Sequence, residues 1–441
     1  MTGAELTQAE LRSRSADIPY WYCYPPKTLY LNDSDCAPLA SQLRLLGGTA
    51  NLYVHIPFCS MRCSFCSLLS VRPNDDQQVN AYISRLQTEA KMVAALLPAN
   101  RPRIDLLYIG GGTPTLLSPD CVRRLMDAIR AAFDCSAISQ SSVEFSPDTV
   151  SAETTESWRA EGFTRASIGV QSFSEEILNA MNRPKAQIEI SGAVSLLRNS
   201  GFKNVNLDLI YGNPGQTLNH WRDELVAAVD TGATSITTYP LALRANTGYG
   251  ISARRGVEFP RQTMLRDMYH YTCRFLRERG WQSTSVVTFS RHAHFNRLER
   301  AEAMGVPTIG LGAGARSYLA NLHTCSERYL QRKSFGASLD SYVKAVDSAR
   351  LPVFSQAIVS SEEAVRRRLI LGLMTGGASL VPNNQAWWSE IEREIACLVS
   401  EGFIVKSGEH VRLSDSGYLS AGEVGLRLAS LSVKSILRIP S

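Results

Sequence analysis

From residue 50 onward the chain alternates short apolar runs with helical patterns, and this alternation constrains the fold more than any other feature. The apolar runs are Leu52–Ile56, Ile104–Ile109, Ser142–Phe145, Arg165–Val170, Asn204–Ile210 and Ser235–Tyr239. Each ends in Gly, Pro or polar residues, the usual bounds of a strand. Helices are predicted between and after them, near 76–97, 119–133, 151–161, 174–182, 187–201 and 217–231. In the first, Val79, Ile83, Leu86, Ala90, Val93 and Leu97 recur every three or four positions, which puts them on one helical face. Strands that alternate with helices pair in parallel and are buried on both faces. The predicted class is therefore α/β, as an open doubly wound sheet or a partial barrel. In either arrangement the functional residues collect at the carboxyl ends of the strands.

The rest of the chain divides around that unit. Residues 1–49 read as an N-terminal arm, 50–240 as the repeating unit, 241–355 as an extension and 356–441 as a small helical domain. Within the arm, Pro19–Pro26 is aromatic and proline-rich, which suits an extended segment lying over another surface. The extension carries the glycine-rich run Gly310–Ser317. In the last region Ser360-Ser-Glu-Glu starts a helix, Glu390–Glu401 forms a second, and Gly402–Val405 with His410–Leu413 forms a hairpin. Helices followed by such a wing look winged-helix-like. A structural lid is preferred over DNA binding, because no basic recognition stripe accompanies it.

Bulk properties narrow the class further. Among 441 residues, 44% are apolar and 20% charged, ordinary values for a soluble globular protein. The net charge of +5 is spread without a basic run, so neither nucleic acid nor a membrane surface is an expected partner. No apolar stretch approaches the roughly 18–20 residues of a membrane span. Met1-Thr-Gly-Ala-Glu-Leu-Thr-Gln has no basic or apolar leader pattern, so no signal peptide is expected. Ten cysteines, three of them clustered, suit a reducing compartment, and a cytoplasmic location is expected.

Those three cysteines, Cys59, Cys63 and Cys66, follow the first strand in a C-x₃-C-x₂-C spacing. Three thiolates can hold three irons of a [4Fe–4S] cluster, which leaves one iron for a ligand that is not protein. Structural zinc would want a fourth ligand, and no second cysteine pair follows. Three buried apolar cysteines fit poorly beside Ser60, Arg62 and Ser64. Further polar residues fall at later strand ends. Gly110-Gly-Gly-Thr113 allows close backbone approach. Glu144 can pair with an ammonium, although a solvated strand-end acid is the ordinary reading. Gln171 offers both a donor and an acceptor, Arg183 can grip a carboxylate, and Asp208 can hold hydroxyls or a second ammonium.

Tyr53–Cys66, Tyr108–Thr115, Arg165–Phe173 and Asn206–Gly212 together resemble the oxygen-independent coproporphyrinogen dehydrogenase-like proteins, within the radical S-adenosylmethionine (SAM) enzymes. The resemblance runs over roughly residues 15–430. It implies a partial (β/α)₆ barrel with an N-terminal arm and a C-terminal helical domain, a [4Fe–4S] cluster on Cys59, Cys63 and Cys66, and two SAM molecules. Carried over by position, Tyr53, Gly111, Gly112, Glu144, Gln171, Arg183 and Asp208 would line the first SAM. Phe65, Thr113, Ile210 and part of Gly310–Ser317 would face the second. A flavodoxin- or ferredoxin-type reductant is the implied partner.

Within that family, the dehydrogenases carry a further cysteine where this chain has Leu68. Ser290–Glu299 does not reproduce the His-Asn…Tyr-Trp segment of the haem chaperones, although His292 and His294 are candidate ligands. Tyr20–Tyr30 and Tyr239–Gly248 look like the class C methyltransferases and cyclopropanases of natural-product pathways. The expectation is thus C1 transfer. A methylene radical from the second SAM would add to an sp² carbon of a small natural-product substrate, giving a methyl group or a cyclopropane. No catalytic base is assigned. The alternatives are a haem chaperone or a coproporphyrinogen III dehydrogenase.

Overall fold

In the computed structural model the described residues are 20–291, 296–328 and 334–437. The six apolar runs form β1 (Thr49–Ile56), β2 (Arg103–Gly111), β3 (Gln140–Phe145), β4 (Arg165–Gln171), β5 (Asn204–Tyr211) and β6 (Ser235–Pro240). They lie side by side in that order and pair in parallel throughout. A doubly wound sheet reverses its strand order at a switch point. This one does not, and successive strands of one order curl toward a barrel. The fold is a partial (β/α)₆ barrel.

Helices Asp76–Ala94, Pro119–Ala132, Ala152–Ala160, Ile190–Asn199 and Leu218–Asp230 connect the strands. The caps explain where most of them begin. Asp75, Ser118, Ser151 and Thr217 each accept a backbone N–H of the first turn with a side-chain oxygen. The two-residue period of the strands divides their faces. Leu52, Val54, Ile109, Val143, Ile168, Leu207 and Leu209 are fully buried in the core shared with the helices. The alternate positions, Tyr53, Tyr108, Glu144, Ser167, Asp208 and Tyr239, turn to the barrel interior. The barrel is therefore dry and apolar outside its strands and polar within.

The sheet runs on past both edges of the six strands. Next to β6 come β7 (Gln282–Ser283) and β8 (Thr288–Ser290), with β8 antiparallel to β6. Beside β1, β9 (Thr308–Leu311) pairs in parallel, and β10 (Arg316–Tyr318), β11 (Leu322–Cys325) and β12 (Ser355–Ile358) continue antiparallel. These strands have only two to four residues each, too few for a period to show in sequence. Helix Arg297–Ala303 sits against the inner side of β2, where Leu298 packs with Leu106 and Tyr108.

β13 (Ala378–Ser379) lies between helices Ser361–Met374 and Ala386–Ser400, and β14 (Ile404–Ser407) and β15 (His410–Leu413) follow them; the three form a sheet ordered β13-β15-β14. Arg300 ties this region to the barrel by donating to the carbonyls of Gly372 at 3.3 Å and Thr375 at 3.0 Å. The aromatic arm is wedged between the two. Trp21 Nε1 donates to the Gly422 carbonyl at 3.0 Å, and the Tyr24 hydroxyl donates to Glu363 at 2.5 Å. Among the described residues no helix is long and apolar enough to cross a membrane. His292 and His294 lie outside the described residues.

Candidate functional site

The cysteine loop leaves β1 at Ile56 and closes on itself at its stem. Cys59 N–H donates to the Val71 carbonyl at 3.0 Å, and Val71 N–H to the Pro57 carbonyl at 2.7 Å. Its middle is pinned from two other elements, since Ser64 N–H donates to the Met181 carbonyl and Tyr249 N–H to the Ser64 carbonyl, both at 2.8 Å. All three cysteines face one cavity of about 300 Å³, a size usual for small-ligand sites. Arg183 Nη1 lies 3.6 Å from Cys63 Sγ, and Thr113 Oγ1 lies 3.5 Å from Cys59 Sγ. Burial raises the Cys59 thiol and pushes Cys66 up to about 12, so loading a metal centre here must expel protons. Among the described residues no three ligating side chains are gathered tightly enough for a single ion. A four-iron cluster puts each thiolate on a separate iron and does not need that closeness. The donor set, three thiols with a cation and a hydroxyl beside them, fits such a cluster.

The wall opposite is built from the ends of β2 to β5. Gly111 has φ +119°, which an L side chain rarely adopts, and its N–H donates to Glu144 Oε2 at 2.9 Å. Tyr108 donates to the other oxygen of Glu144 at 2.9 Å. Burial outweighs both donors and pushes the Glu144 carboxyl up to about 7. Asp208 accepts from Ser167 Oγ at 2.9 Å and Asn206 Nδ2 at 2.8 Å, and burial raises its carboxyl against the pull of Arg165. Gln171 has φ 70° beside a register shift between Gly169 and Gln171. That strain is held from both sides. Arg183 Nη2 donates to the Gly169 carbonyl at 2.6 Å, and Glu224 accepts from Ser172 Oγ and from the N–H of Phe173 at 2.7 Å.

The structure brings Phe65, Gly111, Gly112, Thr113, Glu144, Gln171, Arg183, Asp208 and Ile210 to the same cavity as the cysteines. Tyr53 is not among its lining residues. Its ring stacks on Tyr108 with centroids 6.0 Å apart, and its hydroxyl lies 3.0 Å from His55 Nδ1. His55 Nε2 is 2.9 Å from the Leu69 carbonyl, so that nitrogen carries the proton and Tyr53 donates to Nδ1. Tyr53 thus supports Tyr108, which holds Glu144. The Gly310–Ser317 run also stands apart from this cavity. Gly312 N–H donates to Glu89 and Ala313 N–H to Tyr82, beneath β1. Gly112 has a role that spacing alone does not reveal. A Cβ there would come within 2.4 Å of the Phe58 carbonyl oxygen, so this glycine admits the cysteine loop itself. Ser167 and Tyr239, which lie in quoted motifs but are not among the expected site residues, also line the cavity; their alternate positions on β4 and β6 are the available signal.

Tyr239 belongs to a second cavity as well. This chamber, of about 280 Å³, is walled by Tyr20, Trp21, Tyr22 and Tyr24 of the arm and by Tyr318 of β10, with Tyr239 between it and the cysteine-lined basin.

Residues 53–226 match the Radical SAM superfamily. The haem chaperone HemW of Bacillus subtilis is 27% identical over 379 residues, covering 84% of this chain and 97% of the chaperone. The oxygen-independent coproporphyrinogen III oxidase of Escherichia coli is 24% identical over 427 residues, 93% of this chain and 89% of the oxidase. The solved structure of coproporphyrinogen III oxidase (HemN) from E. coli superposes with a TM-score of 0.78 at 24% identity, covering 93% and 96% of the two chains. The chain is thus similar, over most of its length, to radical SAM proteins of the coproporphyrinogen oxidase and HemW kind. They overturn the expectation of a class C methyltransferase or cyclopropanase acting on a natural product. That expectation rested on Tyr20–Tyr30 and Tyr239–Gly248. Tyr20, Tyr22, Tyr24 and Tyr239 instead wall the chamber.

Proposed function

We propose that this radical SAM protein binds a tetrapyrrole of the haem kind beside a site that holds one cluster and one SAM. Cys59, Cys63 and Cys66 would hold the cluster, which supplies the electron for cleaving SAM when both are bound. Glu144, once ionised, would pair with the SAM ammonium, with Tyr108 and Gly111 N–H fixing its oxygens. Asp208 and Gln171 would hold the remaining polar groups, and Arg183 is placed to steady Cys63 and the exit of β4. One SAM is preferred to two, because Phe65, Thr113 and Ile210 share a single basin with the residues assigned to the first.

The carrying observation is the aromatic chamber that meets this basin at Tyr239. Its ring-lined walls suit a flat, largely apolar ligand. Haem is preferred over a porphyrinogen because the haem chaperone matches over nearly its whole length and because Leu68 stands where the dehydrogenases carry a cysteine. Oxidation of coproporphyrinogen III is the second reading, supported by the similarity to the oxidases.

The test is an anaerobic preparation with its cluster reconstituted. Haem titration is followed by absorbance, 5′-deoxyadenosine release from SAM is measured, and coproporphyrinogen III is offered in parallel. Haem binding without consumption of the porphyrinogen is expected. Consumption of coproporphyrinogen III would select the second reading, and failure to bind either compound would sink both.

A further inference from the structure

The chamber wall holds a cation that the SAM site does not use. Arg367, on helix Ser361–Met374, is only 7% exposed, yet it lines the chamber. Its guanidinium lies over the Tyr318 ring, 5.1 Å from the centroid, and Nη1 donates to the Glu302 carbonyl. Its Nε is buried without a hydrogen-bond partner among the described residues. A buried, charged donor left unmade is costly, and such groups ordinarily have a partner. The carboxyls nearest to it do not fill that role well. Burial raises Glu302 even against the charge of Arg367, and it pushes Glu299 on the same wall up to about 7. A carboxyl that burial holds toward its neutral form compensates a guanidinium less well than an ionised one.

We infer that Arg367 is the anion anchor of the chamber and receives a carboxylate carried on the edge of a flat ring system that lies among Tyr20, Tyr22, Tyr239 and Tyr318. The guanidinium is held beside the chamber by its stack on Tyr318, and a shift of its fork toward the chamber would let an incoming carboxylate take a charge-assisted bond from Nε–H, which is buried and unpaired without it. Burial that raises both carboxyls lessens the repulsion that Glu302 and Glu299 would offer an incoming carboxylate. This rests on the tetrapyrrole reading and sharpens it: the group recognised is a propionate, and the recognition comes from the C-terminal helical region rather than from the barrel.

The probes are haem and its dimethyl ester, which keeps the ring and the iron and lacks both carboxylates. They are titrated into the full-length, cluster-loaded protein. Wild type should bind haem more tightly than the ester by about tenfold or more. Arg367→Gln should erase that preference by weakening haem alone, and Arg367→Lys, which keeps the charge but loses the planar fork, should restore part of it. The ester comparison on wild type needs no variant and stands even if Arg367→Gln does not fold. Equal affinity for acid and ester in wild type, or a preference that survives Arg367→Gln, would overturn the anchor while leaving the tetrapyrrole reading intact. Failure of wild type to bind haem, the ester and coproporphyrin alike would sink that reading and the anchor with it.

Discussion

The cysteine-lined basin and the aromatic chamber differ in how the chain builds them. The basin is made at the carboxyl ends of β1 to β6 and the loops that leave them. Each contributor is a neighbour in the sheet, and each side chain's direction follows from the strand period. The chamber draws on the arm, β6, residues 285–287, helix Arg297–Ala303, β10 and helix Ser361–Met374. Its lining runs in sequence from Tyr20 to Thr375. A basin assembled from adjacent strand ends suits chemistry that is common to many relatives. A chamber assembled from peripheral pieces can change its ligand without disturbing the barrel. The basin's residues fall within the stretch that matches the Radical SAM superfamily, whereas resemblance at Tyr20–Tyr30 and Tyr239–Gly248 led to the wrong expectation of C1 transfer.

If the two regions are separable, the largest effect should come from Cys59→Ala, Cys63→Ala and Cys66→Ala combined. Iron and sulfide content should fall to background and SAM cleavage should vanish, while haem titration still shows binding in the chamber. Loss of haem binding in parallel would mean that the two cavities act as one site.

Gly112→Val should come next. Its Cβ would sit 2.4 Å from a backbone oxygen of Phe58, which cannot swing aside as a side chain can. Overpacking of this kind typically costs about 1–3 kcal/mol, and the movable partner is the cysteine loop. Cluster content after reconstitution should therefore drop sharply. A variant with full cluster and weakened SAM affinity only would return the glycine to contact with the cofactor.

Glu144→Gln should weaken SAM by about tenfold or more, the value of a charge-assisted pair. The pH dependence gives an independent check. Because burial pushes the Glu144 carboxyl up to about 7, it is neutral below that pH and charged above it. SAM affinity measured by calorimetry should rise from pH 6 to pH 8 in wild type, with proton release on binding at the lower pH. The same series should be flatter in Glu144→Gln. An equally steep series in the variant would assign the titration to another group.

The smallest effect is expected at the chamber mouth. Tyr22 is 45% exposed and is flanked by Lys27 at 5.6 Å and Arg244 at 5.5 Å from its ring centroid. Tyr22→Ala should weaken haem by roughly threefold to tenfold, in line with about 0.5–1.5 kcal/mol for an aromatic contact. SAM affinity should show no matching change, and a parallel loss would blur the line between the two regions.

Much of the barrel was legible before any coordinates. The six strands and the helices between them fall within a few residues of their apolar runs, because a period of two or of three to four is a local property of the chain. The grouping of Glu144, Gln171, Arg183 and Asp208 beside the cysteines follows from the same rule, since parallel strands bring all their carboxyl ends to one rim. What the tertiary structure alone decided lies where local pattern carries no such information. β7 to β12 are too short to show a period and exist because a longer strand is available to pair with. That Tyr53 stacks on Tyr108 and that Gly112 leaves room for the Phe58 carbonyl were decided by which backbone arrives opposite. The chamber with its Arg367 is the furthest from sequence. It exists only once an arm, a barrel edge and a C-terminal helix have closed on one another; the aromatic arm shows in sequence that it covers a surface, but close packing of distant segments does not show which surface.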